Sequence, residues 1–130
     1  MRRILIATDG SASAAEAVTA GIELAAEQGA PVTFVHVRDA AMPPVHENEV
    51  ALTAAAELAR ETGVDADVVM VSGEPTDEIV AYADTIDADL IVVGSRGRNA
   101  VTSAKLGNVS RGVLREARRP VLIVRPAATR

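Results

Sequence analysis

The stretch that decides the fold is Leu90-Ile91-Val92-Val93-Gly94-Ser95-Arg96-Gly97, continued by Gly107-Asn108-Val109-Ser110 and closed by Val121-Leu122-Ile123-Val124. Leu90 to Val93 is wholly apolar, with three of its four residues β-branched. A short run of that kind, bounded by glycine, reads as a strand of a parallel sheet buried on both faces. Gly94 and Gly97 break it, since glycine suits turns and places where backbone must come close to something. Asn108 to Ala117 then reads as a helix, with Val109, Val113, Leu114 and Ala117 at helical spacing. Arg118, Arg119 and Pro120 stop it, and Val121 to Val124 reads as a second buried strand. Strand, glycine loop, helix and strand together aim backbone N–H groups and a helix dipole at one point, where a phosphate fits.

Upstream, the same alternation repeats. Arg3 to Thr8 reads as the first strand, and Asp9-Gly10-Ser11 as a turn into a helix from Ala12 to Gln28. Ser11 or Ser13 suits its N-cap and Gly29 its C-cap. Val18, Ile22, Leu24 and Ala25 form its apolar stripe. Pro31 to Val37 reads as the second strand, and Arg38 to Glu47, with Pro43-Pro44, as a surface loop. A helix over Glu49 to Glu61 leads to a third strand over Ala66 to Val71. The turn Ser72-Gly73-Glu74-Pro75 opens a third helix, with Glu74 or Thr76 at its start and Ile79, Val80, Ala83 and Ile86 facing the core. The pattern predicts the α/β class: an open five-stranded, mostly parallel sheet with helices on both faces, in a single domain over residues 1–130. Ligands of such sheets bind beyond the carboxyl ends of the strands, where the strand order reverses. Asp9 after the first strand and Gly94 at the end of the fourth converge on that point.

Composition narrows the function. The chain has 130 residues, 48% of them hydrophobic, with Phe34 and Tyr82 the only aromatics. Its net charge of −5 argues against a nucleic-acid binder, which needs a basic surface. No run approaches the ~20 apolar residues of a membrane span. The absence of cysteine removes disulfide and thiol chemistry, and the chain is expected to be cytoplasmic. Arg96, Arg98 and Lys105, the only lysine, all fall between the glycines of the deciding stretch. A cationic loop beside a helix start favours a polyphosphate.

The glycine spacing matches neither G-x-x-x-x-G-K-[ST] nor G-x-G-x-x-G. Gly94, Gly97 and Gly107 are spaced G-x2-G-x9-G. With Ile6-Ala7-Thr8-Asp9-Gly10 at the start, His36-Val37 ending the second strand and Pro120 to Val124 at the close, the chain resembles the universal stress protein family. The motif resembles that of its ATP-binding subset, and the likeness runs over the whole chain. It implies a Rossmann-like fold of the adenine nucleotide alpha hydrolase type. It also implies a site for ATP, ADP or AMP, with Mg2+ or Mn2+ held mainly by the phosphates. Carried onto this sequence, the family's site covers Ala7, Thr8 and Asp9, and Val37 for the adenine edge. It continues with Val93, Gly94, Arg96, Gly97, Arg98, Gly107, Asn108, Val109 and Ser110. Asn108 departs from the pattern, which has Ser or Thr there. Its amide can donate and can cap a helix, and Ser110 offers a hydroxyl one step further in.

Two residues have plain structural readings beside the functional ones. Asp9 before Gly10-Ser11 suits an Asx-turn as well as a ligand contact. His36, alone on an apolar strand, reads as structural, and no Cys/His/carboxylate set accompanies it to hold a metal. His46 reads as an exposed loop residue. No catalytic constellation is present, so the expectation is a nucleotide-binding regulatory protein rather than an enzyme, with at most slow ATP hydrolysis involving Asp9. The alternative is a nucleotide-free dimeric scaffold in a stress response. The strand Val121-Leu122-Ile123-Val124, apolar on both faces and at the sheet edge, predicts a homodimer through its own copy.

Overall fold

The computed structural model of the chain describes residues 2–9, 11–38, 46–95 and 107–125. Its elements run β1 (Ile4–Ala7), α1 (Ala12–Gln28), β2 (Val32–Arg38), α2 (His46–Glu61), β3 (Ala66–Ser72), α3 (Pro75–Thr85), β4 (Leu90–Gly94), α4 (Asn108–Glu116) and β5 (Val121–Val124). The strands form one five-stranded sheet in the order β3-β2-β1-β4-β5. Every pairing is parallel, where the sequence pattern had indicated only a mostly parallel sheet. Ile4 of β1 lies opposite Val32 on one side and Leu90 on the other, so β1 and β4 are neighbours at the centre.

Alternate residues of the central strands feed two apolar layers. Ile4, Ile6, Val32, Phe34, Leu90 and Val92 pack with α1 and α2, through Ala17, Val18, Ile22, Leu52 and Ala56 among others. Leu5, Val35, Ile91 and Val93 pack with Ile79 and Ala83 of α3 and Val113 of α4. Both faces of the sheet are therefore covered, which is why its central strands read as unbroken apolar runs. Alanines on α1 and α2 let the helices sit close to the sheet with few aromatics in the core.

Helix α1 has the expected bounds because both its ends are encoded. Ser11 Oγ accepts from the Ala14 N–H at 3.1 Å. Gly29 closes the helix in the left-handed region, at φ 64°. Other boundaries move. Strand β1 ends at Ala7, with Thr8 just beyond it, and β2 starts at Val32 and includes Arg38. Of the expected loop over Arg38 to Glu47, Arg38 belongs to β2 and His46 and Glu47 to α2; residues 39–45 lie outside those described. Ala117 is the C-cap of α4 rather than its last turn. Val80 and Ile86 are only half-buried. Strand β5 is the edge strand, as expected, but it is half-exposed rather than buried, with Leu122 37% exposed, because among the described strands β4 is its only partner.

The amino ends of the strands are tied by polar contacts. Arg119 Nε and Nη1 each stand 3.0 Å from a carboxylate oxygen, of Asp84 and Asp87. Asp89 accepts the backbone N–H groups of Arg2 and Arg3, linking the start of β4 to the start of β1. The Arg2 N–H is the main cause that holds the Asp89 carboxyl below its ordinary range. A depressed folded pKa contributes stability above the unfolded value and loses it as pH falls through the folded one. Asp89→Asn is thus expected to melt below the parent at pH ~7, with the gap closing towards pH ~3, below the ordinary Asp pKa. Thermal melts of both proteins across that range check this, and a gap independent of pH would contradict it.

Candidate functional site

The site residues expected from the sequence gather at the opposite end of the sheet. Right-handed β–α–β connections start every helix at the carboxyl ends of the strands. The strand order reverses between β1 and β4, and there the described residues enclose a cavity of about 140 Å³. Ala7, Thr8 and Asp9 bring the end of β1 to it, and Val37 the end of β2. Val93 and Gly94 come from β4, and Val109 and Ser110 from the first turn of α4. All eight are residues expected from the sequence. Arg96, Gly97 and Arg98, with Lys105, lie outside the described residues.

Helix α4 begins at this cavity without a side-chain cap. Gly107 is its N-cap, and no acidic residue occupies its first turn. The first intrahelical bond runs from the Arg111 N–H to the Gly107 carbonyl at 3.0 Å. The N–H groups of Asn108, Val109 and Ser110 precede it and have no intrahelical acceptor. Three donors and the positive end of the dipole make this end of the cavity fit for an anion. The rest of the lining is largely apolar, with Val35, Val37, Ile79, Val93 and Val109. A flat apolar group at one end and a negative charge at the other suit such a site.

Two local expectations change on the structure, and a third residue gains a packing reason. Asn108 does not cap α4: it is the first helical residue, exposed, and its Oδ1 accepts from Arg111 Nη2 at 2.7 Å. The Ser110 hydroxyl is not presented to a ligand either. It is buried and donates to the Ser95 carbonyl at 3.0 Å, which leaves only its backbone N–H for an anion. Gly94 is required by packing. A Cβ there would stand 2.7 Å from Ser13 Oγ and 2.8 Å from the Ser13 carbonyl carbon and oxygen.

The structural readings of Asp9 and His36 both hold. Asp9 Oδ1 accepts from the Ser11 N–H at 2.9 Å, closing an Asx-turn into α1. His36 is buried, with Nδ1 3.0 Å from the Thr8 carbonyl. A carbonyl only accepts, so that nitrogen carries the proton. This bond pins the ends of β1 and β2 side by side at the cavity. Among the described residues no group of three or more His, Cys, Asp or Glu is placed to hold a metal ion.

A model of the universal stress protein family matches residues 1–125. The chain belongs to that family. Universal stress protein YxiE of Bacillus subtilis (strain 168) is 38% identical over 145 residues, covering 95% of this chain and 98% of that protein. A universal stress protein solved in complex with cAMP superposes with a TM-score of 0.78 at 27% identity, covering 97% of this chain and 98% of that one. The universal stress protein from Archaeoglobus fulgidus in complex with dAMP gives 0.75 at 26% identity, covering 95% and 98%.

In this universal stress protein the cavity also draws on Ala14, Val35, Pro75 and Ile79, which the motif did not indicate. His36, set aside as structural, lines it as well. Pro75 is the first residue of α3, and the general rule that helices begin at this end of the sheet was the signal that could have found it. A wider, more open depression of about 540 Å³ lies at the other end, among Arg3, Arg60, Asp65 and Asp67. Its charges are partly spent on one another and on backbone: Arg3 reaches Asp67 at 3.5 Å, and Arg60 the Ala66 carbonyl at 3.0 Å. None of the described helices starts there. The packing at Gly94 carries a direct expectation. Gly94→Ala should destabilise the protein by about 1–3 kcal/mol, the usual cost of overpacking. Denaturant unfolding without any ligand checks it, and unchanged stability would show that the α1 start yields freely.

Proposed function

We propose that this chain is a regulatory nucleotide-binding protein whose ligand is an adenine nucleotide, ATP in particular. The observation that carries the reading is the meeting of an apolar cavity with the uncapped start of α4. In that site the base lies against Val37, Ile79 and Val109, and the phosphates face the N–H groups of Asn108, Val109 and Ser110. At 140 Å³ the cavity is smaller than the ~300 Å³ of the least ligand pockets. It takes one end of the nucleotide, and the phosphates extend outward past α4. Relatives solved with cAMP and dAMP support the class of ligand. A divalent cation, Mg2+ or Mn2+, would come with the phosphates, which supply its ligands. The protein acts as one domain over residues 1–130, in the cytoplasm, as a binding module rather than an enzyme.

Titration calorimetry of ATP and AMP against nucleotide-stripped protein tests the reading, with binding at micromolar concentration expected. Ala7 lines the cavity mouth, so Ala7→Leu should fill it, lowering affinity about tenfold or more while the protein stays folded, since buried methylene volume excludes the ligand. No heat at millimolar nucleotide would move the protein to the scaffold reading.

The same chain is proposed to form a homodimer through β5. The edge of β5 is unpaired within the sheet. Leu114, 52% exposed, adds to it: Gly112 faces Thr76 of α3, and Leu114 lies roughly 200° further round α4, on the side away from α3. Pairing β5 with its copy covers the edge, Leu122 and Leu114 together. Light scattering should give a dimer for the parent and a monomer for Leu122→Asp. A monomeric parent at high micromolar concentration would contradict the interface.

A further inference from the structure

The departure at Asn108 has a structural partner. Arg111, one turn into α4, is exposed, and its Nη2 donates to Asn108 Oδ1 at 2.7 Å. Helix side chains lean towards the N-terminus, so the guanidinium is drawn back to the level of the first helical residue. Among the described residues no carboxylate pairs with it. A cation at this end opposes the helix dipole, and α4 has neither a first-turn acid nor a side-chain cap to offset it. For an empty helix the arrangement is unfavourable, and an anion at the helix start reverses the sign.

A second observation points the same way. Ser95 is only 3% exposed, and its carbonyl takes both the Gly107 N–H, at 2.6 Å, and the Ser110 hydroxyl, at 3.0 Å. Its own hydroxyl has no partner among the described residues. Two strand steps after the cavity-lining Val93, Ser95 stands on the α4 face, beneath the first turn of that helix. A buried hydroxyl without a partner among the described residues is costly to leave so, and a group at the helix start would satisfy it.

Resting on the nucleotide site proposed above, we propose that Asn108 holds Arg111 at the start of α4 as a clamp for the outer phosphates, so that the site prefers adenosine di- and triphosphates to the monophosphate. The free N–H groups of Asn108, Val109 and Ser110 meet the first phosphate, close to the cavity. Arg111 does not line the cavity; it stands on the outer side of the same turn, where further phosphates leave it. Asn108 is then a positioning residue. Its amide oxygen does for the guanidinium what a first-turn hydroxyl would do for the phosphate directly, and the phosphate contact passes to Arg111.

Calorimetry with ATP, ADP and AMP on the parent, Arg111→Gln, Asn108→Ala and the double variant tests this. Arg111→Gln should lose about tenfold in ATP affinity, the scale of a charge-assisted hydrogen bond, and no more than about twofold in AMP. Asn108→Ala should lose less for ATP, and nothing further once Arg111 is already Gln. Both side chains are exposed, and removing the Arg111 charge relieves its opposition to the helix dipole, so melting temperatures without nucleotide should not fall. Equal losses for ATP and AMP, no loss, or an Asn108→Ala effect that persists in the Arg111→Gln background would each overturn the clamp while AMP binding keeps the site intact. Failure of the parent to bind AMP and ATP alike would overturn the site itself, and the clamp with it.

Discussion

The parallel pairing of β1 with β4 is the contact on which the rest depends. It joins segments more than eighty residues apart, with Ile4 opposite Leu90 and Ile6 opposite Val92. Once these strands are neighbours, the connections before and after them diverge to opposite edges of the sheet, and a crevice must open between their carboxyl ends. Every helix of the right-handed units then starts at that end. The cavity is in this sense a consequence of topology. The side chains around it decide only what it can hold.

The approach of α1 to β4 shows how tightly that consequence is drawn. Gly94 sits against the backbone of Ser13, leaving no room for a Cβ. One residue on, the Ser95 carbonyl receives both the N-cap N–H and the Ser110 hydroxyl of α4. The starts of α1 and α4 are therefore both fastened to the end of β4. His36 and Asp9 do the same for β2 and α1 through the Thr8 carbonyl and the Ser11 N–H. Polar groups that might have been read as ligand contacts are thus largely spent on holding backbone. Among the described residues, what remains to meet a ligand is apolar surface, the backbone N–H groups at the start of α4 and the exposed Arg111 beside them.

Much of this was legible in residue order. The apolar runs at Ile4, Val32 and Leu90 declare strands covered on both faces, and the caps Ser11 and Gly29 place α1 to the residue. The neighbouring of the first and fourth strands, and with it the crevice, followed from the alternation of elements. Less legible were properties set by distant partners. Val121 to Val124 was placed at the sheet edge correctly, but that it would be half-exposed was not legible, because its apolar run reads like that of Leu90 to Val93. The helix start at Asn108 was legible, but that its side chain pairs with Arg111 rather than capping the helix appears only when the helix is built. Pro75 and Ile79 reach the cavity through the packing of α3, which no local motif encodes.

The central claim is that the carboxyl-end crevice, and no other surface, receives an adenine nucleotide with its phosphate at the start of α4. Backbone amide chemical shifts during a titration with AMP test it most directly. The account predicts that Val109 and Ser110 move most, together with Ala7, Thr8 and Val37. Shifts confined to Arg3, Arg60 and Asp67 at the other end of the sheet, or no shifts at saturating nucleotide, would contradict it.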